Sequence, residues 1–187
     1  MNKKTVALTS EQYKDIIKTM QQGFTGMRPN PRVAAALVLE ANLGIRISDI
    51  LNLRLADIIK DGERYRLDII EKKTSKSRTF TVPFLIYQYI ENYCFRNNIS
   101  KTERVFPISK RTVQSILKMT CDYLGYEKIS THSFRKFYAT EIYKNNGNDI
   151  VLVQHLLQHS SPATTQRYIG IEPEKVENAI LGHMQLL

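Results

Sequence analysis

Thr131-His132-Ser133-Phe134-Arg135 sets an imidazole and a guanidinium three residues apart. With Thr131 read as the N-cap, both fall in the first turn of a helix and on one face of it, beside backbone N–H groups that have no helical partner. Cationic side chains at the positive end of a helix suit a phosphate oxygen better than a metal or a carbonyl, so the pair reads as an anion clamp. The pair alone serves equally well as a cap and a salt bridge. Downstream, His159 and Tyr168 add a second imidazole and a phenol that the same site would use. His155 and His159, at i and i+4, have zinc spacing, but residue 156 is Leu where a metalloprotease helix carries Glu, and no third ligand is evident.

The elements that must hold these groups follow from periodicity. Thr9-Ser10-Glu11-Gln12 predicts a capped helix with Tyr13, Ile16, Ile17 and Met20 turned inward, ending at Gly23. Residues 33–43, almost continuous in Ala, Val and Leu, predict a helix buried on most sides and stopped by Gly44. A short helix within 45–53 follows, with Arg46 at its start and Asp49 in reach at i+3. Between Arg64 and Pro83 the period becomes alternating: Tyr65, Leu67 and Ile69 share one face of a strand, and 78–82 form a second. The two make a β-hairpin with a basic tip carrying Lys72, Lys73 and Lys76. A basic tip ordinarily protects an edge strand from aggregation.

Helical spacing returns at 84–96, with Leu85, Ile86, Tyr89, Ile90 and Tyr93 as the inner stripe. Ser109 caps a helix that runs to Gly125, packs Val113, Ile116, Leu117 and Leu124, and carries Lys110 and Arg111 in its first turn. That basic turn fits a major groove and fits a solvated face equally well. The helix opened by Thr131 passes through Phe137, Ala139 and Ile142 to Asn145-Asn146-Gly147. Asn148 then caps 150–157, Pro162 opens a further helix at its first position with Tyr168 near its end, and 173–187 form an amphipathic tail helix.

A chain of 187 residues is long enough for one well-filled core, and a single domain over 1–187 is expected. Lys and Arg number 27 against 18 Asp and Glu, and the net charge of +9 calls for a polyanionic partner or a merely basic surface. Cys94 and Cys121 lack metal or redox spacing and read as small reduced core residues. Neither a signal peptide nor an apolar run long enough to span a bilayer is present, so the reading is cytoplasmic, with no membrane.

Several of these segments together resemble the tyrosine recombinase (phage integrase) family. Gly44-Ile45-Arg46-Ile47-Ser48-Asp49-Ile50-Leu51 is similar to its first arginine box, and His132-Ser133-Phe134-Arg135 to its His-x-x-Arg. Leu156-Leu157-Gln158-His159-Ser160-Ser161, followed by Tyr168, resembles its final box, and Lys73 falls where the family places a lysine between two strands. The resemblance covers almost the whole chain from about Thr9. It departs at Gln158, where Gly is more usual, and at Asp49, where Glu is commoner.

The resemblance implies a mainly α catalytic domain with a small antiparallel β-sheet, an α+β fold. Members of the family usually carry a separate N-terminal core-binding domain as well, and 1–187 is expected to be the catalytic domain without it, either an excised domain or a naturally short member. It implies a site-specific recombinase or integrase that works without cofactor or metal and cleaves double-stranded DNA through a 3′-phosphotyrosyl intermediate. Tyr168 would be the nucleophile, His132 its proton acceptor and Lys73 the acid for the leaving 5′ oxygen. Arg46, Arg135 and His159 would hold the phosphate, with Asp49 supporting them and Lys76, Lys110 and Arg111 on flanking DNA. The working form would be a tetramer on two DNA sites, docked through the tail helix and open to accessory DNA-bending proteins. A type IB topoisomerase-like relaxase and a non-catalytic DNA-binding regulator are the alternatives.

Overall fold

Thr9 caps the first helix, α1 (Ser10–Gln22), through a closed capping box: the Gln12 N–H donates to Thr9 Oγ1 at 3.1 Å, and the Thr9 N–H donates to Gln12 Oε1 at 3.0 Å. The computed structural model to which this helix belongs describes residues 5–70, 77–157, 159 and 161–169. Backbone contacts divide the chain into two compact units, Met1–Tyr138 and Ala139–Leu187.

In the first unit, α1 packs on α2 (Pro31–Leu43) and on α5 (Lys110–Leu124). Asn30 caps α2 with its side-chain oxygen on the Val33 N–H, Pro31 takes the first helical position, and nine of the thirteen α2 residues are buried. A helix apolar on nearly every side has to be enclosed, and α2 forms the centre of the core. Gly44 ends it in the left-handed region at φ 61°, and the chain turns at once into α3 (Ile47–Ile50), with Arg46 at its N-cap.

The sheet has three strands where the alternation predicts two. β1 (Ile58–Asp61) pairs antiparallel with β2 (Arg64–Ile70), which pairs antiparallel with β3 (Ser77–Val82), in the order β1-β2-β3. β1 escapes the alternation rule because only Ile58 of its four residues is buried. Tyr65, Leu67 and Ile69 do face the core, with Leu67 opposite Phe80 in the register. Helix α4 (Phe84–Arg96) follows, and Tyr87 stacks on Tyr65 at 4.0 Å between ring centroids. Leu85, expected in the inner stripe, is 75% exposed: the buried line runs through Ile90 and Cys94, with Ile86 packed against the core one turn earlier. Both cysteines are free and buried.

Helix α6 (Thr131–Asn145) begins at Thr131 itself. The cap position therefore falls to Ser130, whose N–H donates to Ser133 Oγ at 3.1 Å in the reciprocal half of a capping interaction. The second unit takes up the rest of α6 and adds α7 (Ile150–Leu157) and α8 (Pro162–Ile169), which pack together. Asn148 does not cap α7. It occupies the left-handed turn at φ 62°, and Asp149 Oδ1 accepts the N–H groups of Val151 and Leu152, each at 2.9 Å. Among the described residues no helix is long and apolar enough to cross a membrane. The tail expected at 173–187 lies outside the described residues.

Candidate active site

Gly44 anchors the Arg135 guanidinium. Its carbonyl accepts a hydrogen bond from Nη1 of Arg135, a residue ninety-one positions later that is only 1% exposed. Two residues on from Gly44, the Arg46 carbonyl accepts the N–H groups of Asp49 at 2.8 Å and Ile50 at 3.0 Å, which seats half-buried Arg46 at the head of α3. Asp49 is 8% exposed and lies one turn beyond it. The Arg135 guanidinium and the Arg46 backbone are thus anchored within one short segment. No residue but glycine fits at position 44: the backbone is left-handed, and an added Cβ would run into the Tyr138 ring.

Beneath this segment lies a carboxyl that periodicity does not single out. Glu40 sits in the apolar middle of α2 at 0% exposure, with Oε1 accepting the Ile47 N–H at 3.1 Å. Its Oε2 is buried and has no hydrogen-bond partner among the described residues. Burial pushes the carboxyl well above the ordinary carboxylate range, against the opposing pull of the Ile47 N–H and the charges of Arg135 and Lys110. Glu40 ties α2 to the head of α3 and lies within the electrostatic reach of Arg135 on α6. A lone carboxylate inside a run of Ala, Val and Leu, four residues before the helix-ending glycine, was the signal available in the sequence.

His132 and Arg135 occupy the first turns of α6 as their spacing predicts, but they differ in exposure. The imidazole is exposed, whereas the guanidinium is turned inward to Gly44. A free clamp at a helix end would expose both. Lys110 and Arg111 are exposed in the first turn of α5, and the charge of Lys110 reaches Glu40. Lys73 and Lys76 lie outside the described residues.

In the second unit, His159 follows α7 and Tyr168 lies near the end of α8. Their rings meet edge to face, with centroids 4.9 Å apart and planes at 72°. His159 is held on three sides. Its N–H donates to the Gln154 carbonyl at 3.1 Å, its carbonyl accepts from Gln154 Nε2 at 3.3 Å, and Nδ1 lies 3.0 Å from the hydroxyl of fully buried Thr165. Gln154 and Thr165 have ordinary polar side chains, and no periodicity marks them as partners of a histidine. His155 is exposed, and among the described residues no three His, Cys, Asp or Glu side chains are grouped as for a metal ion.

Comparison with known proteins converges on one family. Residues 7–175 match the phage integrase family. The chain is 31% identical over 160 residues to the probable integrase/recombinase YoeC of Bacillus subtilis, covering 82% of this chain and 85% of that protein. It is 28% identical to the tyrosine recombinase XerC of Caldanaerobacter subterraneus subsp. tengcongensis, covering 94% of this chain but half (50%) of the relative. The fold matches that of the XerH site-specific recombinase bound to palindromic difH substrate in a post-cleavage complex, with a TM-score of 0.70 at 20% identity. That match covers 96% of this chain and 53% of the other. A mainly helical chain with a three-stranded antiparallel sheet, in which an arginine box, a His-x-x-Arg and a histidine touching a tyrosine follow in order, belongs to the phage integrase family of tyrosine recombinases.

Proposed function

We propose that this chain is the catalytic part of a site-specific recombinase that breaks and rejoins double-stranded DNA with Tyr168 as its nucleophile. The observation that carries the reading is the edge contact between the rings of His159 and Tyr168, at the end of a chain whose family is that of tyrosine recombinases. The phenolic oxygen of Tyr168 attacks the scissile phosphorus, the bond from phosphorus to the 5′ oxygen breaks, and the chain becomes joined to the 3′ phosphate. A phenol with an ordinary pKa of about 10 needs a base, and exposed His132 takes its proton. Lys73 gives a proton to the departing 5′ oxygen. Attack by that 5′ hydroxyl, or by one from a second duplex, reverses the step and restores the phenol.

Negative charge grows on the nonbridging oxygens as phosphorus becomes five-coordinate. Arg46 and Arg135 answer it with planar donors that each reach two oxygens, and the bond from Arg135 to the Gly44 carbonyl fixes that side chain before the charge appears. His159 adds a hydrogen bond to the same phosphate, and Asp49 supports the arginine box. Lys76, Lys110 and Arg111 contact flanking phosphates, consistent with the net charge of +9. The working assembly is a homotetramer on two DNA sites, assisted by accessory DNA-bending proteins.

The test is a nicked suicide substrate built from the DNA that flanks the gene. The native chain forms a covalent adduct on the 3′ phosphate, and Tyr168→Phe forms none. Two site-bearing fragments of different length then yield recombinant products. An adduct without exchange would mark a relaxing enzyme, and DNA binding without adduct a regulator.

A further inference from the structure

The ring of His159, a proposed phosphate ligand, has a buried side-chain partner, and that partner decides which ring nitrogen carries the proton. Thr165 is fully buried on α8, and among the described residues its hydroxyl has one hydrogen-bond partner, Nδ1 of His159, at 3.0 Å. A buried hydroxyl proton requires an acceptor, and a neutral imidazole offers one at whichever nitrogen bears no hydrogen. If Nδ1 carried the proton, the Thr165 hydroxyl would accept and its own proton would be buried unused. With Nδ1 as acceptor the Thr165 proton is used, and the ring proton is left on Nε2.

We propose that Thr165 is a positioning residue that holds His159 in the Nε2–H tautomer, so that the imidazole presents a donor, and not a lone pair, to the scissile phosphate. The inference rests on the phosphate-binding role of His159 given above, but the tautomer itself does not depend on that role. Gln154 completes the arrangement: by gripping both backbone groups of His159 it fixes the residue against α7, while Thr165 sets the ring from α8. A ring fixed by the two helices cannot swing to offer its other nitrogen without giving up the Thr165 bond. The contact with Tyr168 is made by this same ring, so the hydroxyl also helps set how the imidazole meets the nucleophile.

The tautomer is read directly from the nitrogen-15 and attached-proton spectrum of the chain at mildly alkaline pH, with the His159 signals assigned by their loss in His159→Gln. The native chain should show a protonated Nε2 and an unprotonated Nδ1. Thr165→Val, which keeps the branched shape but removes the hydroxyl, should show a mixture of tautomers and form the covalent adduct about tenfold more slowly, the scale at which removal of a histidine's orienting partner tells. Thr165→Ser should restore both. A native chain with the proton on Nδ1 overturns the proposal even if the valine variant fails to fold. So does a folded Thr165→Val with native tautomer and native adduct rate. A native chain that forms no adduct would sink the reading of the previous subsection while the tautomer result still decides this one.

Discussion

The two units hold their proposed reactive groups by different means. In the first, Arg135 is 1% exposed, Asp49 8% and Glu40 0%, and all three belong to a frame of α2, α3 and α6 whose neighbours form the hydrophobic core. In the second, half-buried His159 follows one helix of eight residues and half-buried Tyr168 lies in another, and a hydrogen bond to Thr165 orients the His159 ring. Groups that stabilise charge need rigidity in advance of the reaction, because a donor that must reorganise loses its advantage over water. A nucleophile needs freedom to approach and withdraw. The difference implies that damage in the first unit appears as lost stability together with lost rate, and damage in the second as lost rate alone.

The largest expected effect belongs to Arg135. Its replacement by Ala leaves the Gly44 carbonyl without its donor and a cavity where a fully buried side chain was packed, together a loss of about 3–5 kcal/mol. Adduct formation should fall at least about a hundredfold in protein that still folds. Tyr168→Phe should abolish the adduct while moving the urea midpoint by less than about 0.5 kcal/mol, the range of changes away from buried features. Equal midpoints for the two variants would break the comparison. Arg135→Lys sharpens it, because the charge near Glu40 returns and the two-pronged geometry does not: stability should recover further than rate.

Next comes Gly44→Ala. A side chain in the left-handed region costs about 1–2 kcal/mol, and overlap with the Tyr138 ring adds about 1–3 kcal/mol. Combining it with Tyr138→Ala should remove the overlap and leave the backbone cost, so the two changes should destabilise by less than the sum of each alone when unfolding is followed in urea. Strict additivity would show that the contact does not constrain this turn.

How much of this was legible in the chain divides along the same line. Capping boxes and helix-ending glycines are local, and Thr9, Gly23, Ser109, Gly44 and Gly125 bounded their helices as periodicity predicts. The motif residues were visible because their types and order are specific. What stayed hidden depends on contacts between distant segments. Burial of Arg135 follows from a carbonyl ninety-one residues away, and the task of Glu40 from the helix that turns back over it. β1 is half polar in sequence because it pairs along only one edge, with β2, and presents a single residue to the core. Thr165 bonds to a residue in the preceding loop, six positions earlier and outside its own helix, a spacing that no helix repeat selects.

Glu40 offers the smallest effect and the most specific one. Burial holds its carboxyl well above the ordinary value of 4.5, while the Ile47 N–H and the charges of Arg135 and Lys110 pull it partly back. Over a window that starts near 4.5 and extends upward to the raised value, the folded chain therefore keeps a proton that the unfolded chain has released. The stabilising contribution of this group is complete below the window, declines as pH rises through it by at most about 1.4 kcal/mol per pH unit, and is level above it. Glu40→Gln keeps an acceptor for the Ile47 N–H and cannot ionise. Its urea midpoint, subtracted from that of the native chain at each pH, should be flat below the window and should shift steadily in favour of the variant across it. Parallel curves would mean that Glu40 ionises in the fold as readily as in the open chain, the Ile47 N–H and the charges of Arg135 and Lys110 having fully offset its burial. A slope confined to this variant, and absent from Thr165→Val, would place the pH-sensitive part of the stability in the first unit and leave the second to be judged by rate.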